Sequence, residues 1–200
     1  MWSDFKAFNR SCKGLNVYSS GTLAGKKFAQ ATPANMPWKS SDGLGVRFDG
    51  VSDLASNSVG LSFPIHIFML ASVLATAGNN YLLDGGPVTN KMAMFTSPAG
   101  TTFQIYAGNL GPAIGCANNT MQVFEAVFNG PSSKVAVNGG AFAVGNAGDS
   151  GDPTFFTIGA AANGTSSWAN MVNRKTFIVE GELSPTERAH VANYMLRAAR

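Results

Sequence analysis

The chain has 200 residues, 45% of them hydrophobic and only 12% charged, with a net charge of +3. Length and apolar share suit one domain around one sizeable core. The basic residues do not form the dense stripe of a nucleic-acid binder, and a charged share about half the usual one leaves a surface weakly protected against association.

The first residues, MWSDFKAFNRSCKG, lack the apolar run of a secretion signal. Residues 1–30 read as an N-terminal arm rich in Gly, Ser and Lys, with the aromatics Trp2, Phe5, Phe8 and Tyr18. The spacing of three between Trp2, Phe5 and Phe8 allows a short helix with one apolar face. Such a face folds back on its own domain or docks on a neighbour, so these residues are candidates for an assembly arm. Cys12 and Cys116 have no metal-ligand spacing and imply no disulfide, so they read as free thiols of a reducing compartment.

From Val46 the pattern is of short strands punctuated by turns. The predicted strands lie near 46–48, 62–70, 81–84, 91–95, 101–107, 121–128, 134–137, 141–144, 154–159 and 174–179. Asn138-Gly139 between two of them is a hairpin signal, because both residues tolerate positive φ. The apolar run 63–77 is too short to cross a bilayer, so no membrane insertion is expected. Ser184-Pro185-Thr186-Glu187 is a capping box with Pro in the first turn. It opens a helix over 184–198 whose Val191, Tyr194, Met195 and Ala198 share one face. This is an antiparallel all-β sandwich with one C-terminal helix, over residues 31–200.

The stretch GVRFDGVSDLA sets Asp49 and Asp53 four residues apart. Asp49-Gly50 reads as a turn whose carboxylate binds nearby backbone amides, with Asp53 capping the next segment; a calcium ion held by the pair is the alternative. A retaining glycosidase needs two carboxylates about 5 Å apart. Glu125 is the one acidic residue inside a predicted central strand and has no acidic partner at 123 or 127, while Glu180 and Glu182 read as solvated loop groups. His66 and His190 read as structural. No catalytic set, resident metal or cofactor follows from the sequence, and the chain is expected not to be an enzyme. A sugar needs an aromatic platform with polar partners: Trp168 with Asn163 and Asn170 forms one candidate, and Trp38 beside Asp42 a second.

Three segments occur in order: TPANMPWKSSDGLGVRFDGVSDL (32–54), MQVFEAVFNGPSSKVAVNGG (121–140) and FIVEGELSPTERAHVANYM (177–195). Together they resemble the concanavalin A-like lectin/glucanase superfamily in its laminin-G-like branch, over about residues 30–198. The resemblance implies a jelly roll of two curved antiparallel sheets. NMVNRKTFIVEGE, before the capping box, departs from the family by lacking an acidic residue at the usual place, and no calcium-ligand set can be mapped. Domains similar to this branch occur on tailed-phage particles. Joined to the low charge and the aromatic arm, the resemblance implies a virion structural protein, a capsid decoration or cement protein assembled in the host cytoplasm. It would be a homo-oligomer, a trimer suiting a capsid, with the major capsid or a tail protein as partner and host glycan as a further contact. The alternatives are a carbohydrate-binding module of a tail or cell-surface protein and, behind it, a glycoside hydrolase.

Overall fold

The computed structural model describes residues 2–4, 17–18, 27–28, 30–58, 60–87, 92–162 and 164–199. In chain order the strands are β1 (Trp2–Asp4), β2 (Val17–Tyr18), β3 (Lys27–Phe28), β4 (Trp38–Lys39), β5 (Val46–Asp49), β6 (Ala55–Asn57), β7 (Ile65–Val73) and β8 (Asn80–Gly85). There follow β9 (Met92–Thr96), β10 (Thr102–Tyr106), β11 (Leu110–Gly115), β12 (Met121–Phe128), β13 (Ser133–Val137), β14 (Ala143–Gly145), β15 (Phe156–Ile158) and β16 (Asn170–Glu180), then the helix α1 (Pro185–Ala198).

Two antiparallel sheets make an all-β jelly-roll sandwich. The eight-stranded sheet runs β14-β13-β12-β7-β16-β5-β4, with β1 also paired to β16; the six-stranded sheet runs β11-β10-β9-β8-β15-β6. The long central strands explain the apolar runs of the sequence. On β7, Ile65, Ile67, Met69, Ala71 and Val73 enter the core between the sheets, while Phe68 and Leu70 point the other way, into a second cluster beneath α1. A strand covered on both faces reads as continuous rather than alternating. Each large apolar side chain so buried contributes about 1.5–3 kcal/mol.

On β16 the register slips between Asn173 and Lys175. The extra residue of such a bulge reverses which side chains face inward, so Met171 lies in the core before it and Ile178 after it. Arg174, at the bulge, donates to the Ala198 and Ala199 carbonyls at 3.0 and 3.1 Å. This places a cation on the negative end of the helix dipole.

The capping box forms as the sequence implies: the Ser184 hydroxyl accepts from the Glu187 amide, and Glu187 accepts from the Ser184 amide at 2.9 Å. The buried face of α1 is Val191, Ala192 and Met195. Tyr194, expected among them, is 40% exposed. It sits at the edge of the stripe, where its hydroxyl accepts from Lys175 Nζ at 2.7 Å, a polar tip kept wet above an apolar body. Asn138 and Gly139 adopt φ of 55° and 70°, the positive values expected. Their turn also docks the helix, for the Gly140 carbonyl accepts from Arg188 at 2.6 Å.

The start of the chain differs from the expected short helix: Trp2–Asp4 form a strand antiparallel to β16, with Trp2 opposite Phe177. Val17–Tyr18 pair with Lys27–Phe28. Phe28, on the arm side of the expected boundary at residue 30, lies in the core at 1% exposure. Phe5, Phe8 and Cys12 lie outside the described residues. The short strands β4, β6 and β11 were not expected. β11 reads LGPAIG, whose Gly and Pro argue against a strand; the structure puts it at a sheet edge, where Pro is tolerated.

Candidate functional site

Strand alternation on the six-stranded sheet sends Met94, Phe103 and Ile105 into the core. It therefore turns Phe95, Gln104 and Tyr106 outward. Cross-strand register then builds a row: Tyr81 on β8 stands opposite Phe95 on β9, and Phe95 opposite Gln104 on β10. The Tyr81 and Phe95 rings stack at 5.4 Å with 19° between their planes. Around this row lies a shallow groove of about 260 Å³ lined by Asn79, Tyr81, Phe95, Ser97, Thr102, Gln104, Tyr106 and Leu110. It is therefore small beside the roughly 300–1,000 Å³ usual for pockets that hold drug-sized ligands.

The polar atoms of the groove are only partly used. Gln104 donates its Nε2 to the Gly111 carbonyl at 2.9 Å, which fixes the amide orientation and turns its Oε1 to act as an acceptor. Burial first, then the Asp84 charge and the Tyr106 phenol, hold the Tyr81 hydroxyl above its ordinary pKa. The groove is thus an aromatic floor with neutral hydrogen-bonding groups at its rim. Charge is segregated between the sheets. Lys39, Arg47, Lys134, Arg174, Lys175, Arg188 and Arg197 are the basic residues whose side chains the structure describes, and all stand on the eight-stranded sheet or α1. The strands of the six-stranded sheet carry one charged residue, Asp84.

A second polar cluster lies on the opposite side of the molecule, between the eight-stranded sheet and α1. Glu125, fully buried on β12, accepts from Arg188 Nε at 2.6 Å and from a terminal nitrogen of the same guanidinium at 2.9 Å. His66 Nε2 lies 3.0 Å from the same carboxylate, and His66 Nδ1 accepts from the Leu183 amide at 3.2 Å. An Nδ1 that accepts leaves the proton on Nε2, so His66 donates to Glu125. Phe68 stacks under the imidazole and Phe142 under the guanidinium. With His66 and Glu125 fully buried, the cluster pins α1 and the 138–140 turn onto the sheet and presents no reacting atom. Glu125 and His66 were visible in the sequence. A carboxylate amid VFEAVF must find a buried partner, and that requirement was the signal for Arg188.

The Asp49–Asp53 corner is a hydrogen-bonded turn. Asp49 Oδ1 accepts from the amides of Val51, Ser52 and Asp53 at 2.8, 2.9 and 3.0 Å. Asp53, 1% exposed, accepts from the Asp49 amide at 3.1 Å and from the Trp38 indole at 2.8 Å. Partial burial works to raise the Asp49 carboxyl, but the amides and the Ser52 hydroxyl outweigh it, so its pKa falls below the ordinary value. Asp49 Oδ2 has the Ser52 hydroxyl at 3.3 Å, and among the described residues no group of three or more His, Cys, Asp or Glu is placed to hold a metal.

The sugar candidates drawn from the sequence fall at different places. Trp38 is tied to the corner through its indole nitrogen; Asp42 beside it is held by Ser40, Leu44 and Arg174. Trp168 is half-buried, Asn170 opens β16 opposite Asp49, and Asn163 lies outside the described residues. Of these, Trp38, Asp42, Trp168 and Asn170 do not line the groove. The loop that carries Trp168 does border it, since the Ser167 carbonyl accepts from the Tyr81 amide at 3.2 Å. Glu180 and Glu182 are exposed, as expected of solvated groups, and each also makes a surface contact: Glu180 accepts from the Ser62 amide and Glu182 pairs with Lys134 Nζ at 2.6 Å. No helix among the described residues is long and apolar enough to cross a membrane.

No protein-family model and no curated protein matches the chain. Solved structures do. Trypanosoma rangeli sialidase is similar at 14% identity and a TM-score of 0.70, over 98% of this chain and 33% of that one. A Ruminococcus gnavus IT-sialidase CBM40 bound to α2,3-sialyllactose is similar at 12% identity and a TM-score of 0.54, over 68% of this chain and 92% of that one. The HCR/D F1240A mutant is similar at 8% identity and a TM-score of 0.66, over 96% of this chain and 50% of that one. The chain spans about a third of the length of the sialidase it matches. Likeness at these identities establishes the sandwich fold, one shared with a carbohydrate-binding module.

Proposed function

We propose that this chain is a non-enzymatic carbohydrate-binding domain whose binding surface is the groove on the outer face of the six-stranded sheet. The observation that carries this reading is the Tyr81–Phe95–Gln104 row with Tyr106 beside it. A pyranose ring presents apolar C–H faces and a rim of hydroxyls. Aromatic rings cover the faces, and amide and hydroxyl groups fixed by the sheet exchange hydrogen bonds with the rim. Support comes from the fold shared with the CBM40 module, a structure that holds α2,3-sialyllactose.

The virion reading rests on the charge-poor composition and the laminin-G-like resemblance; the solved structures above add nothing to it. Glycan binding by a particle protein would satisfy both readings. The test is a glycan array probed with the purified chain, followed by calorimetric titration of the best glycans. Saturable binding that Tyr106→Ala weakens about tenfold, or about 1.4 kcal/mol, is the expected result. Silence across the array would overturn the proposal.

A further inference from the structure

Resting on the carbohydrate-binding reading, we infer that the groove selects uncharged glycans and discriminates against sialylated and other anionic ones. A carboxylate or sulfate taken out of water needs a cation or several converging N–H donors to offset its lost hydration. The described lining of the groove offers no cation, and its amide donors are two, on Asn79 and Gln104. This lining consists of aromatic, amide, hydroxyl and aliphatic side chains, and one of the two N–H groups of the Gln104 amide is taken by the Gly111 carbonyl. The basic residues whose side chains are described all stand on the other sheet or on α1.

The strands of the six-stranded sheet carry no Lys or Arg, and their one residue of a charged type is Asp84. Asp84, fully buried, lies on the same strand as Tyr81, and its field reaches the Tyr81 hydroxyl. The hydroxyls of Tyr81 and Tyr106 and the Gln104 Oε1 remain as a mixed donor and acceptor set, which matches sugar hydroxyls rather than a carboxylate. A volume of about 260 Å³ fits one or two sugar rings, with the rest of a longer chain running along the open face.

The test is calorimetric titration of the full chain with the neutral disaccharides lactose, cellobiose and maltose, and with α2,3-sialyllactose and a sulfated heparin disaccharide, at about 0.1 M and about 1 M salt. The expected result is that a neutral sugar binds at least tenfold tighter than either anionic one, with an affinity that changes less than twofold between the two salt concentrations. Gln104→Arg, which adds a cation at the rim, should narrow or reverse that preference. Tighter binding of an anionic sugar, or an affinity that falls steeply with salt, would overturn this inference and leave the carbohydrate-binding reading standing. Absence of binding by all five sugars and by the glycan array would overturn both.

Discussion

Tyr81 and Phe95 stack across the β8–β9 ladder at 5.4 Å, and Phe95 is 6% exposed while Tyr81 keeps an accessible edge. The two rings therefore have different jobs: Phe95 supports the floor and Tyr81 offers contact surface. Tyr81→Phe should keep the stack, leave the unfolding midpoint nearly unchanged and weaken glycan binding severalfold through the lost hydroxyl. Phe95→Ala should cost about 3–5 kcal/mol of stability, as such core truncations do. Urea unfolding combined with titration separates the two effects.

The Glu125–Arg188 pair makes the opposite prediction. Removing one member of a buried pair costs about 3–5 kcal/mol, because the other is left uncompensated. Glu125→Ala should destabilise by about that amount, and Glu125→Ala with Arg188→Ala by less than the sum of the two single changes. Glycan affinity of the folded fraction should be unchanged, since the pair and the groove lie on different sheets. Loss of binding without loss of stability would assign the cluster a ligand role that its geometry does not give it.

Legibility in the sequence followed from how local each cause was. The capping box, the Asn138-Gly139 turn and the Asp49 corner were readable, because each is satisfied by residues within a few positions. The strands β7 and β12 were readable from their apolar runs. The groove was not: Tyr81, Phe95, Gln104 and Tyr106 become neighbours only through cross-strand register. Trp168 drew attention as an aromatic beside amides in sequence, whereas the aromatics that converge come from three strands. β11 was hidden by its Gly and Pro, and the pairing of β1 with β16 depends on contact between the two ends of the chain.

Gly159 has φ of 90°, and a Cβ there would collide with the Phe48 ring and approach the Asp53 carbonyl to 3.0 Å. Gly159→Ala combines a disfavoured backbone with a core clash and should destabilise by more than about 3 kcal/mol. Denaturant unfolding checks this. A change below about 1 kcal/mol would mean that β15 can shift away from β5 without penalty.

Acid stability should carry the signature of Asp42. The Ser40 hydroxyl chiefly, then the Leu44 amide and Arg174, lower its pKa from 3.8 to about 2 against a smaller opposing effect of burial. A carboxylate whose folded value lies below its unfolded one adds stability above the unfolded value, and that stability is lost as pH falls through the folded value. The unfolding midpoint should therefore drop between pH 3.8 and about 2, and Asp42→Asn should flatten part of that drop. Asp49, also lowered, contributes in the same direction. The side chain of Asp42 is 39% exposed, so solvent screening keeps its share small.

The most direct measurement is an amide chemical-shift map of the labelled chain titrated with its best glycan from the array. Shifts should concentrate on β8, β9 and β10 around Tyr81, Phe95 and Gln104, fade toward β12 and α1, and vanish in a folded Tyr106→Ala variant. Shifts centred instead on the Trp168 loop, or on the eight-stranded sheet, would contradict the placement of the binding surface in the groove.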